Sequence, residues 1–306
     1  MPSSCAADPQ GGVRKPSPRG RFWLSAGSSA WILVAPPVLY FLAFFVVPLL
    51  YLFFVSLHVP SQTELYGSRV TLDNYLRVAT DSFYLRIIRR TLVAGLAVSG
   101  LTLLIAYPVA LAMVRMPARR RSLLLMLLLF PLMVSNVIRA YGWIAILGRR
   151  GVVNNLLRDA GLVQAPLPLL YSVETVVVGL LTILLPYMIV CLVNALLTID
   201  RSLEEAAQSL GAGPLRTFFH VTLPLSTPGI ASGLLLVFLL TLSAYVTVQL
   251  LGGPQSKMLV SLVYDGVMSF VWPRAAALAF ILLGISLTIT TLMLRVLRPQ
   301  RVEGRG

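Results

Sequence analysis

Six stretches of this 306-residue chain are apolar for twenty residues or more: 30–57, 91–113, 123–147, 176–199, 230–251 and 275–297. A helix that crosses the roughly 30 Å hydrocarbon layer needs about 20 residues. Lipid offers no partner to an unpaired backbone N–H or C=O, so a spanning run has to be helical. The expected fold is therefore all-α: a membrane protein with six transmembrane helices. Charged residues make up 12% of the chain and hydrophobic ones 57%, against about 25% charged in a soluble domain. The first run exceeds the roughly 7–15 apolar residues of a signal peptide and reads as an uncleaved first span.

The formal net charge is +14. The arginines stand mostly at the ends of the apolar runs and form no continuous basic face, so nucleic acid is not an expected partner. Flanking arginines orient spans against lipid headgroups instead. An even number of spans places both termini on one side. That side carries fourteen Lys and Arg against ten on the other, with Arg119–Arg121 as its densest cluster. The bias predicts cytoplasmic termini. Residues 1–29, rich in Pro, Gly, Ser and Arg, read as a disordered basic cytoplasmic tail. Residues 30–297 are expected to form the six-helix transmembrane bundle and 298–306 a short cytoplasmic C-tail. The stretch "FYLRIIRR" before the second span reads as an amphipathic helix lying in the outer interface.

Several chemistries are excluded. Lys15 and Lys257 are the lysines present and neither follows a glycine, so there is no phosphate-binding loop. His58 and His220 lie far apart, and Cys5 and Cys191 have no metal spacing. No nucleophile elbow occurs. The chain is not expected to be an enzyme or to hold a metal or cofactor. Its energy has to come from a partner or an ion gradient.

Between the fourth and fifth runs lies a polar insert, residues 200–228, containing "SLEEAAQSLGAGPLRTFFHVTLPLSTP". Ser202 and Glu205 have capping-box spacing. Leu203, Ala206, Ala207 and Leu210 fall at i, i+3, i+4 and i+7 and make one apolar stripe. Gly211 or Gly213 suits a left-handed helix end. Pro214 suits the first turn of a second helix, which Pro224 is expected to stop before Pro228 begins the fifth span. The physics leaves two roles for this unit: an interfacial hairpin capping its own bundle, or a surface for a partner.

The insert resembles the EAA signature of permease subunits of ATP-binding cassette importers: Glu205-Ala206-Ala207, Gly211, then Val221 where Ile is usual, then Leu223-Pro224. The resemblance extends over nearly the whole chain and implies the type I importer fold, six helices with a cytoplasmic coupling helix between the fourth and fifth. It implies that Glu204, Glu205, Ala206, Ala207, Leu210, Gly211 and Pro224 form the surface that docks a cytoplasmic ATPase. The implied partners are two ATP-binding subunits, a second and homologous permease, and a periplasmic solute-binding protein in a bacterial inner membrane. ATP would be used by those partners. Residues 137–157 and "SAYVTVQLLGG" (243–253) are similar to the spermidine/putrescine-type branch.

Candidate pathway residues follow from polarity inside apolar runs. Arg139, eighteen residues beyond Arg121, is expected about 27 Å along one helix and near the outer interface. Tyr141 and Trp143 follow it, and Glu174 is its candidate ion-pair partner. Ser243, Tyr245, Thr247 and Gln249 alternate at period two. That period fits no single helical face, so either the helix is interrupted there or several walls are touched. Pro131 and Pro186 are expected to kink the third and fourth spans. The competing class, an ion-gradient-driven transporter or channel, calls for ionisable groups within the membrane. The span cores contain no Asp or Glu.

Overall fold

The computed structural model describes residues 26–61 and 64–296. The chain forms two compact units, one ending at Leu52 and the other beginning at Phe53. Most of the expected N-terminal tail and all of the C-tail lie outside the described residues, although helix already begins at Ala26. Among the described residues the extended pairing is one isolated antiparallel bridge, His58 to Val70.

The helices run in this order: α1 (26–56, whose membrane-length stretch is Val34–Ser56), α2 (Asp73–Thr80), α3 (Ser82–Arg115), α4 (Ala118–Met133), α5 (Asn136–Leu147), α6 (Val152–Asp159) and α7 (Val173–Leu197). Then come α8 (Arg201–Ser209), α9 (Pro214–Leu225), α10 (Thr227–Leu242), α11 (245–252), α12 (Leu259–Met268) and α13 (Trp272–Val296). Helices α1, α3, α7 and α13 are each long and apolar enough to cross a membrane unaided. The α4–α5/α6 and α9–α10 pairs reach that length only when each bent pair counts as one span. Against the six spans expected, the described residues hold four unbroken ones, or six when each bent pair counts as one span.

The bend expected at Pro131 and the interruption allowed for at 243–249 are both present, and each has a local cause. The third run breaks by 90° after Met133. Pro131 lacks an N–H and sits in a tight 3-10 turn, and Ser135 then caps a new helix by accepting the Val137 N–H at 3.3 Å. Arg139 therefore does not lie on a straight axis from Arg121, and the separation expected of a continuous helix does not apply. The fifth run breaks at Ser243–Ala244, where the Tyr245 N–H bonds to the Ser243 carbonyl at 2.9 Å and Ala244 takes φ −77°, ψ 72°. This is an inverse γ-turn. Pro186, by contrast, is carried inside the unbroken helix α7. "FYLRIIRR" is not a separate interfacial helix either. Asp81 caps the start of α3 by accepting from the Phe83 N–H at 2.8 Å, and the helix then runs 34 residues without a break. The separate short helix is α2, held by Asn74 Nδ2 donating to the carbonyls of Ser56 and His58.

Helices α3, α7 and α10 pack on one another around Val98, Ala106, Ala110, Leu180, Met188, Leu192 and Val237. Gly229 and Gly233, four apart on α10, meet α7 closely. A Cβ on Gly229 would lie 2.2 Å from Ala195 Cβ, and one on Gly233 would lie 2.4 Å from Met188 Sδ. Small residues four apart let two helices approach within lipid, where dispersion rather than water exclusion holds them.

Candidate functional site

The 200–228 insert folds as two helices joined by one left-handed residue. Its start is not the expected capping box. Asp200 is the cap, accepting the Ser202 N–H at 2.9 Å, and Ser202 lies inside the first turn. That hydrogen bond holds the Asp200 carboxyl below its ordinary range, so the capping form is the ionised one. Helix α8 ends in a Schellman arrangement: the Gly211 N–H bonds the Gln208 carbonyl at 2.9 Å and the Ala212 N–H bonds the Ala207 carbonyl at 3.1 Å. Gly211 has φ +85°, so it, and not Gly213, makes the bend.

Pro214 opens α9. Pro224 does not stop it. The rod passes through a π turn at Phe218–Thr222, where the Leu223 N–H bonds the Phe218 carbonyl, and continues to Leu225. The axis turns by 63° at Ser226. Pro228 cannot donate to the Pro224 carbonyl, and the Thr227 hydroxyl does so instead at 2.6 Å.

Two polar ties hold this unit. Thr222 Oγ1 donates to Glu204 Oε1 at 2.6 Å and fixes α8 to α9. At the bend, buried Ser226 Oγ donates to the Leu223 carbonyl at 2.9 Å and lies 2.8 Å from the Tyr107 hydroxyl of α3. With the serine proton used, Tyr107 is the donor. Its ring also meets Phe218 edge-on at 5.6 Å. Tyr107→Phe therefore removes one donor, costing about 1 kcal/mol, whereas Ser226→Ala strands the buried tyrosine hydroxyl and costs up to about 3 kcal/mol. Thermal unfolding of the two purified variants, followed by circular dichroism, should place Ser226→Ala below Tyr107→Phe. The reverse order would refute this assignment of the proton.

Away from those ties, the unit presents an apolar surface. Leu210 is 90% exposed and Leu215 75%, with Leu203 and Phe219 also exposed. Glu205 and Ala206 are exposed beside them, and Ala207 is half-buried. Of the stripe, Leu203, Ala206 and Leu210 are exposed and Ala207 is half-buried.

The broken third and fifth runs meet around a second feature. Arg139, Ser243, Tyr245 and Thr247 line a cavity of about 250 Å3, together with Asn136 and Tyr187. Arg139 Nη2 donates to Asn136 Oδ1 at 2.6 Å, while its Nε is buried without a partner. It makes no ion pair with Glu174, which stands exposed in the first turn of α7. The 90° turn before Arg139 is what removes it from the expected axis. Trp143 is half-buried and donates to Thr182 Oγ1 at 3.3 Å. Tyr141 and Gln249 are exposed and do not line the cavity. Tyr245 stacks on Tyr264 with ring centroids 4.0 Å apart.

Sequence reasoning missed Asp200, Thr222, Ser226 and Tyr107. Asp200 directly before the helix is a readable cap signal, but Tyr107 and Ser226 lie 119 positions apart and no local pattern links them.

The sequence matches the family described as binding-protein-dependent transport system inner membrane component over residues 14–302. It is 32% identical to a spermidine/putrescine transport system permease protein, PotB, of Haemophilus influenzae, covering 86% of this chain and 92% of that one. It is 33% identical to the Escherichia coli PotB, covering 73% and 78%. It is 30% identical to the E. coli inner membrane ABC transporter permease protein YdcU, covering 77% and 79%. In fold it is similar to a chain of a bacterial alginate ABC transporter solved in complex with an alginate pentasaccharide-bound periplasmic protein. The TM-score is 0.71 at 21% identity, covering 91% of this chain and 98% of that one.

Proposed function

The chain belongs to the family of inner-membrane components of binding-protein-dependent transport systems, and from that premise we propose that its 200–228 unit docks a cytoplasmic ATP-binding subunit and drives a polyamine through the bundle. The chain is a multi-pass permease subunit of an ATP-driven importer. A polyamine such as spermidine or putrescine is the proposed solute, on the strength of the names of the relatives that cover most of its length.

The observation that carries the docking reading is the exposed apolar surface of a rigidly closed polar unit. Leu203, Leu210, Leu215 and Phe219 face outward while Glu204–Thr222 and Tyr107–Ser226 tie the unit to itself and to α3. A partner seated there would move α9. The bend between α9 and α10 and the tie at Ser226 would pass that movement to α10 and α3. Glu205, Ala206 and Gly211 fit the same surface: a free carboxylate, a close-approach residue and the bend. The full assembly is proposed to hold two ATP-binding subunits, a second permease and a periplasmic binding protein. ATP is consumed by the partners, and both termini of this chain are cytoplasmic.

The cavity at Arg139 is proposed as part of the pathway. Its lining has no carboxylate, so a polyamine is proposed to meet tyrosine faces, Tyr187 and Tyr245, by cation–π attraction within about 6 Å. Asn136 holds the Arg139 guanidinium at one side. The test of the whole reading is uptake. Glu205→Lys, on the exposed face of α8, should leave the chain in the membrane at normal levels and abolish accumulation of labelled spermidine by cells. Normal uptake by that variant contradicts the docking reading.

A further inference from the structure

A cavity of about 450 Å3 lies where the end of α3, the start of α4, the end of α7 and the start of α8 converge. Arg115, Arg121 and Arg201 line it. Two carboxylates line it as well, but both are engaged: Asp200 caps α8 and Glu204 accepts from Thr222. Arg201 donates to the Val114 carbonyl at 3.0 Å. Arg115 and Arg121 have no ion-pair partner among the described residues. Two unengaged guanidiniums at the end of a membrane span are a receptor for a phosphate-type anion.

A second observation says which anion. Met116 lines this cavity and also an apolar groove of about 430 Å3 that adjoins it and reaches Thr182–Pro186 in the middle of α7. The groove is walled by Val109, Ala112 and Met113 of α3, by Leu124 and Leu128 of α4, and by Pro186 of α7. Those positions recur at three- and four-residue steps, one face per helix. On α7 the groove uses Thr182, Leu185 and Pro186, whereas the Arg139 cavity uses Leu180, Ile183, Leu184 and Tyr187. At about 100° per residue these are opposite faces of α7, so the groove is separate from the proposed pathway.

We infer that an anionic phospholipid occupies this pair of sites, with its phosphate between Arg115 and Arg121 and one acyl chain along the groove. Basic pockets between spans, at the headgroup level, are suited to such lipids. A free phosphate has no use for the groove, and a zwitterionic lipid has no net charge for the two guanidiniums. The bound headgroup sits beside Arg201, at the start of α8, so occupancy braces the root of the 200–228 unit.

The intact chain, purified in detergent, tests this by native mass spectrometry during titration with dioleoyl phosphatidylglycerol or dioleoyl phosphatidylcholine. Phosphatidylglycerol should be retained in preference. The double variant Arg115→Gln/Arg121→Gln should weaken its retention about fivefold per arginine, on the order of 25-fold together. Ala112→Phe, which fills the groove and leaves both arginines, should weaken it too. The same change at the exposed neighbours, Arg119→Gln/Arg120→Gln, should matter less. Circular dichroism confirms that each variant is folded. Equal retention of the two lipids, or an unchanged double variant, overturns the inference. So does inorganic phosphate that binds and competes as well as the lipid does, which would mark a free-anion site.

Discussion

Gly229→Ala is expected to destabilise the bundle by on the order of 1–3 kcal/mol, while Gly100→Ala in α3 should be neutral or stabilising by up to about 1 kcal/mol. The two substitutions add the same methyl group to a glycine within a helix. Helix propensity favours both equally. The difference is the neighbourhood. At Gly229 the new carbon would lie 2.2 Å from Ala195 Cβ and 3.2 Å from the Cys191 carbonyl oxygen, while at Gly100 nothing stands within 4 Å. Ala195 has no flexible end to swing aside, so α7 and α10 must separate. That separation costs dispersion contacts along the whole crossing, and lipid supplies no hydrophobic force to restore them. Thermal unfolding of the purified variants decides it. Equal stability for the two would show that the α7–α10 approach is looser than described.

On the proposed docking, Leu210→Asp is expected to weaken attachment of an ATP-binding subunit by about a hundredfold or more and to leave the permease itself intact. Leu210 is 90% exposed at the end of α8, next to the left-handed Gly211, so its side chain contributes almost nothing to the fold. Burying a leucine in an interface is worth roughly 1.5–3 kcal/mol. Placing an unpaired carboxylate there costs more again. Each increment of about 1.4 kcal/mol is tenfold in affinity.

Much of this architecture is readable from residue order, and the failures share a cause. Apolar runs locate α1, α7 and α13 to within a few residues, because hydropathy reports length and these helices are straight enough for length to suffice. It carries no direction. The sharp turn at Val134–Ser135 and the γ-turn at Ala244 leave the runs apolar, so hydropathy alone does not show them, although Pro131 marks the first as a kink without giving its 90° size. Period-two polarity at 243–249 does point to the second break, because no helix face produces it. The Arg139–Glu174 pair fails for the same reason as the expected position of Arg139 along the third span, since both assume a straight axis.

Within the insert, the stripe and the glycine bend are legible because they are local. The cap lies two residues before the expected one because Asp200 and Ser202 are both good caps and the backbone satisfies the earlier one. Pro224 has the residue type of a stop, yet the preceding π turn carries the rod past it, and a backbone that absorbs one extra residue per turn leaves no mark in composition. Tyr107–Ser226 and the Arg115–Arg121 cavity depend on contacts between distant segments, which only the fold supplies.

Whether the 200–228 unit is where a separate motor attaches is decided by co-purification. The chain is tagged, expressed with its ATP-binding subunit, and recovered from membranes with and without Leu210→Asp. The unaltered chain should bring down the untagged ATP-binding subunit in a fixed ratio, and the variant should be recovered in equal amount and equal helicity with that subunit lost. Undiminished recovery of the ATP-binding subunit with Leu210→Asp would mean that the motor is held elsewhere on the chain.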